Sequence, residues 1–100
     1  MSNQIKIYVV DENKANLEPL KYQLCEIFGR LTKYPNLKGL WLNPTTKRII
    51  CDDVTVFEIW TDKSLDEIEQ TSLKAIVESI KRLTSQDSQL YTINNKAVFI

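Results

Sequence analysis

The amino-acid sequence predicts a single α+β domain over residues 1–100, with an antiparallel sheet and two helices packed on one of its faces. Three observations favour this class. The chain opens and closes on segments rich in β-branched and aromatic residues. Two segments with one apolar helical face each follow a strand-like segment. The middle, residues 37–62, holds both tryptophans and the densest β-branched run. The predicted order, β-α-β-(β)-β-α-β, is typical of the ferredoxin-like arrangement.

The first strand is predicted over residues 4–10, where isoleucine and valine alternate with other residues. A helix follows, with Asn16 as its N-cap and Pro19 in the first turn, where a missing N–H is tolerated. Gly29 is expected to end this helix, since glycine adopts the left-handed conformation that closes many helices. The apolar residues of the helix recur at helical spacing and are Leu17, Leu20, Leu24, Ile27, Phe28 and Leu31.

A hairpin is predicted to follow the first helix. Residues 32–36 are expected to form a connector, because Pro35 cannot donate a backbone hydrogen bond to a sheet. Short strands over residues 39–42 and 48–51 then flank an Asn-Pro sequence, which is typical of a turn.

The strongest strand pattern in the sequence covers residues 54–61, and the acidic pair Asp52-Asp53 is expected to separate it from the hairpin. Both faces of this segment are largely apolar, so we expect a central strand whose two sides are at least partly covered. Two registers are possible. Either Glu58 and Trp60 face away from the helices, or Glu58 is buried and needs a partner.

The second helix is predicted to begin at Ser64, with Glu67 completing a capping box, and to end near Leu83. Strand-like residues then run over 89–100, interrupted by Asn94-Asn95. The two asparagines are compatible with either a tight hairpin turn or a bulge in one strand.

Charge and hydropathy limit the classes of partner. Thirteen basic and thirteen acidic residues give a net charge of zero, which disfavours nucleic acid because such binding depends on cationic side chains. No apolar run approaches the length of about 18 residues that a membrane-spanning helix needs. The N-terminus also lacks the pattern of a signal peptide. We therefore expect a cytoplasmic protein with no membrane partner.

The chemistry-bearing residues argue against most enzyme classes. The chain has no histidine, which excludes Ser-His and Cys-His nucleophile systems and Cys/His zinc sites. Its two glycines, Gly29 and Gly39, cannot form a glycine-rich phosphate loop. Cys25 and Cys51 are interpreted as buried, reduced packing thiols. No catalytic residue, metal site or cofactor is predicted, and an enzymatic role is disfavoured without being excluded.

Acidic residues are the remaining polar candidates. Asp11, Asp52 and Asp53 carry oxygen ligands of the kind that magnesium or calcium prefers, but solvated loop carboxylates are the favoured interpretation. Glu58 is different, because it lies within an apolar strand. It is either a desolvated carboxylate with a chemical role or one half of a cross-strand ion pair with Lys6, Lys47 or Arg48, and the ion pair is favoured.

Four aromatic residues are predicted to share the sheet face that the helices leave open: Tyr8, Trp41, Trp60 and Tyr91. Such a face can stack nucleic-acid bases or serve as the surface on which two copies meet. The chain lacks the basic-aromatic strand pattern of RNA-recognition motifs. Core packing or self-association is therefore favoured over RNA binding.

Three short segments resemble a group of small uncharacterised bacterial domains, including cyanobacterial ones. They are Phe28-Gly29-Arg30-Leu31-Thr32, Gly39-Leu40-Trp41 and Gln86-Asp87-Ser88. The resemblance implies a ferredoxin-like fold and brings no assigned activity. Some members of the group are secreted or lipid-anchored, and the absence of a signal-peptide pattern here departs from those.

These observations favour a non-enzymatic binding module, a homodimer formed through the open sheet face or an edge strand. The first alternative is a protein or enzyme whose small-molecule site, for an unknown ligand, lies around Glu58 and Trp41. The second is a single-stranded nucleic-acid binder that uses the aromatic face. The candidate ligand or interface residues are Trp41, Glu58, Trp60, Tyr8 and Tyr91.

Overall fold

Five strands form one antiparallel sheet in the computed structural model, which describes residues 2–100. The elements in chain order are β1 (Asn3–Val10), a 3-10 turn (Glu12–Lys14), α1 (Glu18–Phe28), β2 (Thr32–Leu42), β3 (Ile49–Thr61), α2 (Glu67–Leu83), β4 (Leu90–Ile93) and β5 (Lys96–Phe99). The strand order across the sheet is β2-β3-β1-β4-β5. This arrangement confirms the predicted α+β, ferredoxin-like class.

The hydrophobic core lies between the helices and one face of the sheet. Strand alternation puts every second side chain on that face, so β1 and β3 each contribute a row of buried side chains to the core. Each fully buried aliphatic or phenyl side chain contributes about 1.5–3 kcal/mol to stability. The fully buried core residues are Ile5, Ile7, Val9, Leu24, Phe57, Ile59, Leu73, Val77 and Ile80.

The register of β3 decides which side chains are left outside. Phe57 and Ile59 face the helices and are fully buried. Glu58 and Trp60, which alternate with them, therefore lie on the opposite side of the sheet. β1 follows the same alternation, because Ile7 pairs with Phe57 and Lys6 pairs with Glu58.

Two boundaries in the middle of the chain differ from the prediction. β2 begins at Thr32, so the expected connector is part of a strand, and Pro35 lies where the β2–β3 register shifts between Tyr34 and Leu37. A bulge on an edge strand tolerates a residue without an N–H. The Asp52-Asp53 pair does not interrupt β3, which runs unbroken from Ile49. The second strand of the predicted hairpin is therefore the first part of β3 and not a separate strand.

At the helix termini the prediction for Gly29 is correct, whereas those for Asn16 and Ser64 are wrong. The N-cap of α1 is Leu17 and not Asn16. Gly29 ends α1 with a φ of 89°, the left-handed conformation expected of it. Ser64 does not cap α2. Asp66 does so instead, and its side chain accepts a hydrogen bond of 2.9 Å from the amide of Glu69. Aspartate and serine accept this capping hydrogen bond about equally well, so the sequence alone did not distinguish Asp66 from Ser64 as the N-cap.

The last two strands form a hairpin, which resolves the alternative at Asn94-Asn95. Both asparagines have positive φ, 50° and 67°. A two-residue turn of type I′ requires positive φ at both central positions, and asparagine tolerates that conformation better than most residues. The turn therefore follows directly from these two side chains.

The prediction that the two cysteines are buried was wrong. Cys25 and Cys51 are both exposed free thiols. Cys25 lies on the outer side of α1, and Cys51 lies in the part of β3 that extends beyond the helices. Neither of the two helices is long and apolar enough to span a membrane.

Candidate functional site: the open sheet face

The sheet face opposite the helices, called the open face here, carries three of the five candidate residues close to its centre. β1 contributes Tyr8, and β3 contributes Glu58 and Trp60. Trp41 lies on the same face but near the far end of β2, opposite Ile50. Strand alternation alone therefore accounts for the placement of these four side chains on the open face.

Tyr91 is not on the open face, and its placement there was wrong. It pairs with Ile7 and belongs to the buried core cluster. Burial raises the pKa of its phenol, and the nearby charge of Glu78 acts in the same direction. The row of aromatic side chains expected across the sheet is therefore interrupted.

Glu58 is the centre of a hydrogen-bonded group that we call the Glu58 cluster: Gln4, Tyr34, Glu58 and Trp60. The Tyr34 hydroxyl and the Trp60 indole N–H each donate to Glu58 Oε1 at 3.1 Å. Gln4 Nε2 donates to Oε2 at 3.3 Å. Three neutral donors on three strands thus hold one carboxylate in a fixed orientation.

The expected ion pair at Glu58 is not formed. Lys6 lies directly opposite Glu58 in the sheet register, yet the ion pairs of residues 2–100 do not include Glu58. Lys47 and Arg48 belong to the distant hairpin turn, before β3 begins at Ile49. The Glu58 carboxylate is therefore held by neutral donors and not by a cationic side chain.

The ionisation of Tyr34 gives a test of the Glu58 cluster. The hydrogen bond to Glu58, reinforced by the negative charge of that carboxylate, raises the pKa of the Tyr34 phenol. In Glu58→Gln the negative charge is lost, and we expect the pKa of Tyr34 to fall towards its ordinary value. Carbon-13 NMR of the tyrosine rings would follow this titration. The pKa of Tyr91 serves as a control and should not change, whereas an unchanged Tyr34 would contradict the cluster.

Trp41 forms a separate contact and does not join Glu58. Its indole N–H donates to Asp52 Oδ2 at 3.1 Å. Its partner in the register is Ile50, whereas Thr32 is the partner of Glu58. Positions 50 and 58 are eight residues apart along β3, a separation of about 26 Å in an extended strand. A single site around both residues is therefore not assembled within one chain.

An apolar groove of about 420 Å³ crosses the open face between the Glu58 cluster and Trp41. Val54 leans over Gly39, where an added β-carbon would lie only 2.9 Å from Val54 Cγ2. Gln89, Ser88, Lys38 and Gly39 complete the lining. The apolar groove residues are Tyr8, Val10, Leu37, Val54, Val56 and Leu90.

A buried ionic group lies at the end of β1. Glu12 accepts from Lys21 at 2.9 Å and from Lys33 at 2.8 Å. Burial by itself would raise the pKa of Glu12, but the hydrogen bonds from Lys33, Lys21 and Thr55 outweigh it, so that the pKa is lowered. The arrangement fastens the first turn of the chain to the helix and the edge strand.

Lysines also pair with two of the three acidic residues that were considered as metal ligands. Asp53 pairs with Lys38, and Asp11 pairs with Lys14 at 3.2 Å. The backbone amide of Asp11 donates to the carbonyl of Asp53 at 2.9 Å, so the two aspartates do approach each other. Within the described chain, no three acidic or cysteine side chains are grouped in a way that could hold a metal ion.

Comparison with known proteins gives matches at the level of structure. No protein-family model and no curated protein matches the chain. Phage SAM lyase in complex with S-methyl-5'-thioadenosine matches with a TM-score of 0.69 and 12% identity, over 99% of this chain and 88% of that chain. The same lyase in its apo state gives a TM-score of 0.70 at 12% identity, over 98% of this chain and 87% of that chain.

A divalent cation tolerance protein, CutA1 from Thermus thermophilus, matches with a TM-score of 0.59 and 16% identity, over 100% of this chain and 82% of that chain. The chain shares its fold with these proteins. At such low identity the likeness concerns the fold alone. It confirms the fold that the resemblance to bacterial domains implied, while membership of that group stays a prediction.

Sequence reasoning missed several residues of the open face. Tyr34 was assigned to a connector because of the neighbouring Pro35, so its contact with Glu58 was not foreseen. Gln4 alternates with the buried Ile5, and this alternation could have placed it beside Glu58. Gln89 gave no such indication, because it lies just outside β4 and acts through its side-chain amide.

Proposed function

We propose that this protein is a small binding protein that assembles with a second copy of itself through the projecting end of the β2–β3 hairpin. The observation that carries the proposal is the exposure of apolar side chains on both faces of that hairpin, beyond the reach of the helices. This exposure supports the homodimer that the sequence predicts.

The hairpin end is an unusual surface for an isolated chain. Leu40, Leu42 and Ile49 are 58–69% exposed on one face, and Trp41 is 48% exposed on the other. A two-stranded ribbon without a covered face is only marginally stable in water. The radius of gyration is 13.9 Å, against about 13 Å for a compact domain of this length, and the longest extent is 44 Å. A projecting apolar ribbon of this kind is stabilised when a partner covers it.

The outer edge of β2 favours a second copy as the partner. Edge strands are usually protected from pairing by lysine, proline or a bulge, and β2 has all three between Lys33 and Lys38. From Gly39 to Leu42, β2 has none of these three protective features. The opposite edge, β5, is only four residues long and begins with Lys96. Two β2 ends can therefore pair with each other around a two-fold axis.

Charge does not oppose this pairing, since the chain has no net charge. The hairpin end offers the same apolar surface on both copies, which satisfies the requirement of a two-fold interface for self-complementarity. The two alternative functions have less support. Glu58 and Trp41 lie far apart within one chain, and the burial of Tyr91 interrupts the aromatic row that base stacking would use.

Sedimentation velocity over a range of concentrations tests the assembly. We expect the unmodified protein to sediment as a dimer, and Leu40→Lys to weaken the association at least about tenfold, since the ammonium would be desolvated in the interface. Ile68→Lys is the matched control, because Ile68 is also exposed but lies on α2. The proposal fails if the unmodified protein stays monomeric at every concentration, or if both lysine variants weaken the dimer equally.

A further inference from the structure

We infer that two copies pair with Leu40 of β2 on the two-fold axis, opposite the partner's Leu40, and that the two Trp41 indoles lie side by side across this axis. The inference rests on the proposed assembly through the hairpin end and deepens it, because it assigns the register of the pairing. It follows from the direction in which the backbone groups of β2 point and from the two places where β2 cannot continue a ladder.

The backbone groups of β2 point alternately towards β3 and away from the sheet. At the turn, the amide of Asn43 donates to the carbonyl of Arg48 at 2.9 Å, so the backbone of Asn43 points towards β3. The carbonyl of Asp53, the register partner of Lys38, accepts from the amide of Asp11 and therefore points towards β1. Both observations fix the same alternation, since hydrogen-bonded and non-hydrogen-bonded pairs follow each other in an antiparallel ladder. The residues whose N–H and C=O groups point outward from the edge are therefore Lys38, Leu40 and Leu42.

A two-fold axis that joins two antiparallel edge strands places one residue opposite its own copy. With Leu40 on the axis, Leu42 faces the partner's Lys38, and each opposed pair of outward-pointing residues exchanges two hydrogen bonds. An axis one residue closer to the turn would set Lys38 against the partner's Pro44, which has no N–H to donate. An axis one residue further from the turn would set Leu42 against the partner's Asn36, where the bulge interrupts the strand. The axis at Leu40 therefore pairs the whole regular segment.

The side chains on the helix side of the hairpin fit this register. Leu40 and Leu42 are 67% and 58% exposed in one chain, so pairing would remove apolar surface from water. Lys38 does not oppose the pairing, because its ammonium group is held by Asp53 of its own chain. The apolar stem of Lys38 is then in a position to cover the partner's Leu42.

On the open face, the same register places Trp41 opposite the partner's Gly39. The Trp41 indole donates to Asp52, which is the register partner of Gly39, so the ring inclines over Gly39 of its own chain. Gly39 has no side chain to obstruct it, and the ring reaches the level of the partner's Trp41. The Cα atoms of such diagonal neighbours are about 7–8 Å apart, within reach of aromatic side chains. The two indoles therefore meet across the axis.

The paired sheet has its helices on one side only. Directly opposed residues of antiparallel strands point to the same face, so the axis is perpendicular to the sheet. The five strands of each copy then join in one sheet of ten, with the helices of both copies on the same side. The two open faces become one continuous surface with the Trp41 pair at its centre.

Disulfide formation between single cysteines tests the register. The background carries Cys25→Ser and Cys51→Ser, because Cys51 is the register partner of Leu40 and would compete for a new thiol. We expect Leu40→Cys to form a covalent dimer under mild oxidation, since opposed hydrogen-bonded residues have Cα atoms about 5.5 Å apart, a distance that a disulfide spans. Leu42→Cys is the matched control on the same face. Its two copies would lie about 14 Å apart, so we expect it to crosslink at least about tenfold more slowly.

A mixture of two variants tests the register with Leu40 unchanged. Lys38→Cys and Leu42→Cys, each in the same background, should form a disulfide when they are mixed and not when each is alone, because the two positions are opposed across the axis. Sedimentation velocity of the unmodified protein separates the two levels of the proposal. A monomer at every concentration would contradict the assembly and the register together. A dimer whose mixture gives no disulfide, or in which Leu42→Cys crosslinks as fast as Leu40→Cys, would overturn the register alone.

The contact between the two indoles has its own test. Trp41→Ala is expected to weaken the association about tenfold, since tryptophans at the centre of an interface contribute much of its affinity. Trp60→Ala is the matched control, because Trp60 is 51% exposed on the same open face but lies at the other end of β3. We expect the control to leave the association unchanged. Equal weakening by the two substitutions would overturn the contact.

Discussion

Replacing Phe57 with alanine is expected to lower the free energy of unfolding by about 3–5 kcal/mol. Phe57 is fully buried at the centre of β3, and its strand pairs with β1 on one side and β2 on the other. The Lys21 ammonium lies 5.7 Å from the centre of its ring, so the substitution also removes a cation–π contact. Since small domains are stable by only about 5–15 kcal/mol, the variant is expected to be partly unfolded near physiological temperature.

Urea denaturation followed by tryptophan fluorescence measures this change. Phe99→Ala is the matched control, because it deletes the same ring from an exposed position on the edge strand β5. We expect that control to lower stability by less than about 1 kcal/mol. A loss for Phe57→Ala as small as that for Phe99→Ala would mean that the register of β3 is reversed, with Phe57 outside and Glu58 within the core.

The fold class was predictable because local and long-range patterns agree in this sequence. The two helices carry clear apolar stripes, β1 alternates cleanly, and Gly29 ends α1 in the conformation that glycine favours. The Asn94-Asn95 turn was also inferable as one of two alternatives. These features depend on neighbouring residues, which is why a sequence alone shows them.

The errors occur where tertiary context outweighs local preference. Asp52 and Asp53 were expected to break the strand, but each has a partner on β2: Asp52 accepts from Trp41, and Asp53 pairs with Lys38. Strand preference depends strongly on such cross-strand neighbours. Pro35 is likewise tolerated only because β2 is an edge strand with a bulge at that point.

The candidate site was predictable in part for the same reason. Alternation along β3 placed Glu58 and Trp60 together once one register was assumed, and the structure has that register. The distance between Glu58 and Trp41 was not foreseeable, since it depends on β3 being a single long strand. Tyr91 was misplaced because the register of a short strand cannot be read from four residues.

Glu12→Gln is the second substitution with a large expected effect, a loss of about 1–3 kcal/mol of stability at neutral pH. The side chain of Glu12 is only 8% exposed and accepts from both Lys21 and Lys33. The neutral amide would leave the two ammonium groups without their shared counter-charge. Glu18→Gln is the matched control, because Glu18 also contacts Lys21 but is 76% exposed. We expect the control to change stability by less than about 0.5 kcal/mol.

The pH dependence of the Glu12 contribution has a defined sign. The pKa of Glu12 is lowered in the folded state from 4.5, so the folded protein binds a proton less readily than the unfolded chain. The stabilisation is therefore complete above pH 4.5 and is lost as the pH falls through the lower, folded-state pKa. Urea denaturation of the unmodified protein and Glu12→Gln at several pH values should show the two curves converging in acid. A difference that stays constant into strong acid would show that Glu12 acts through packing and not through its charge.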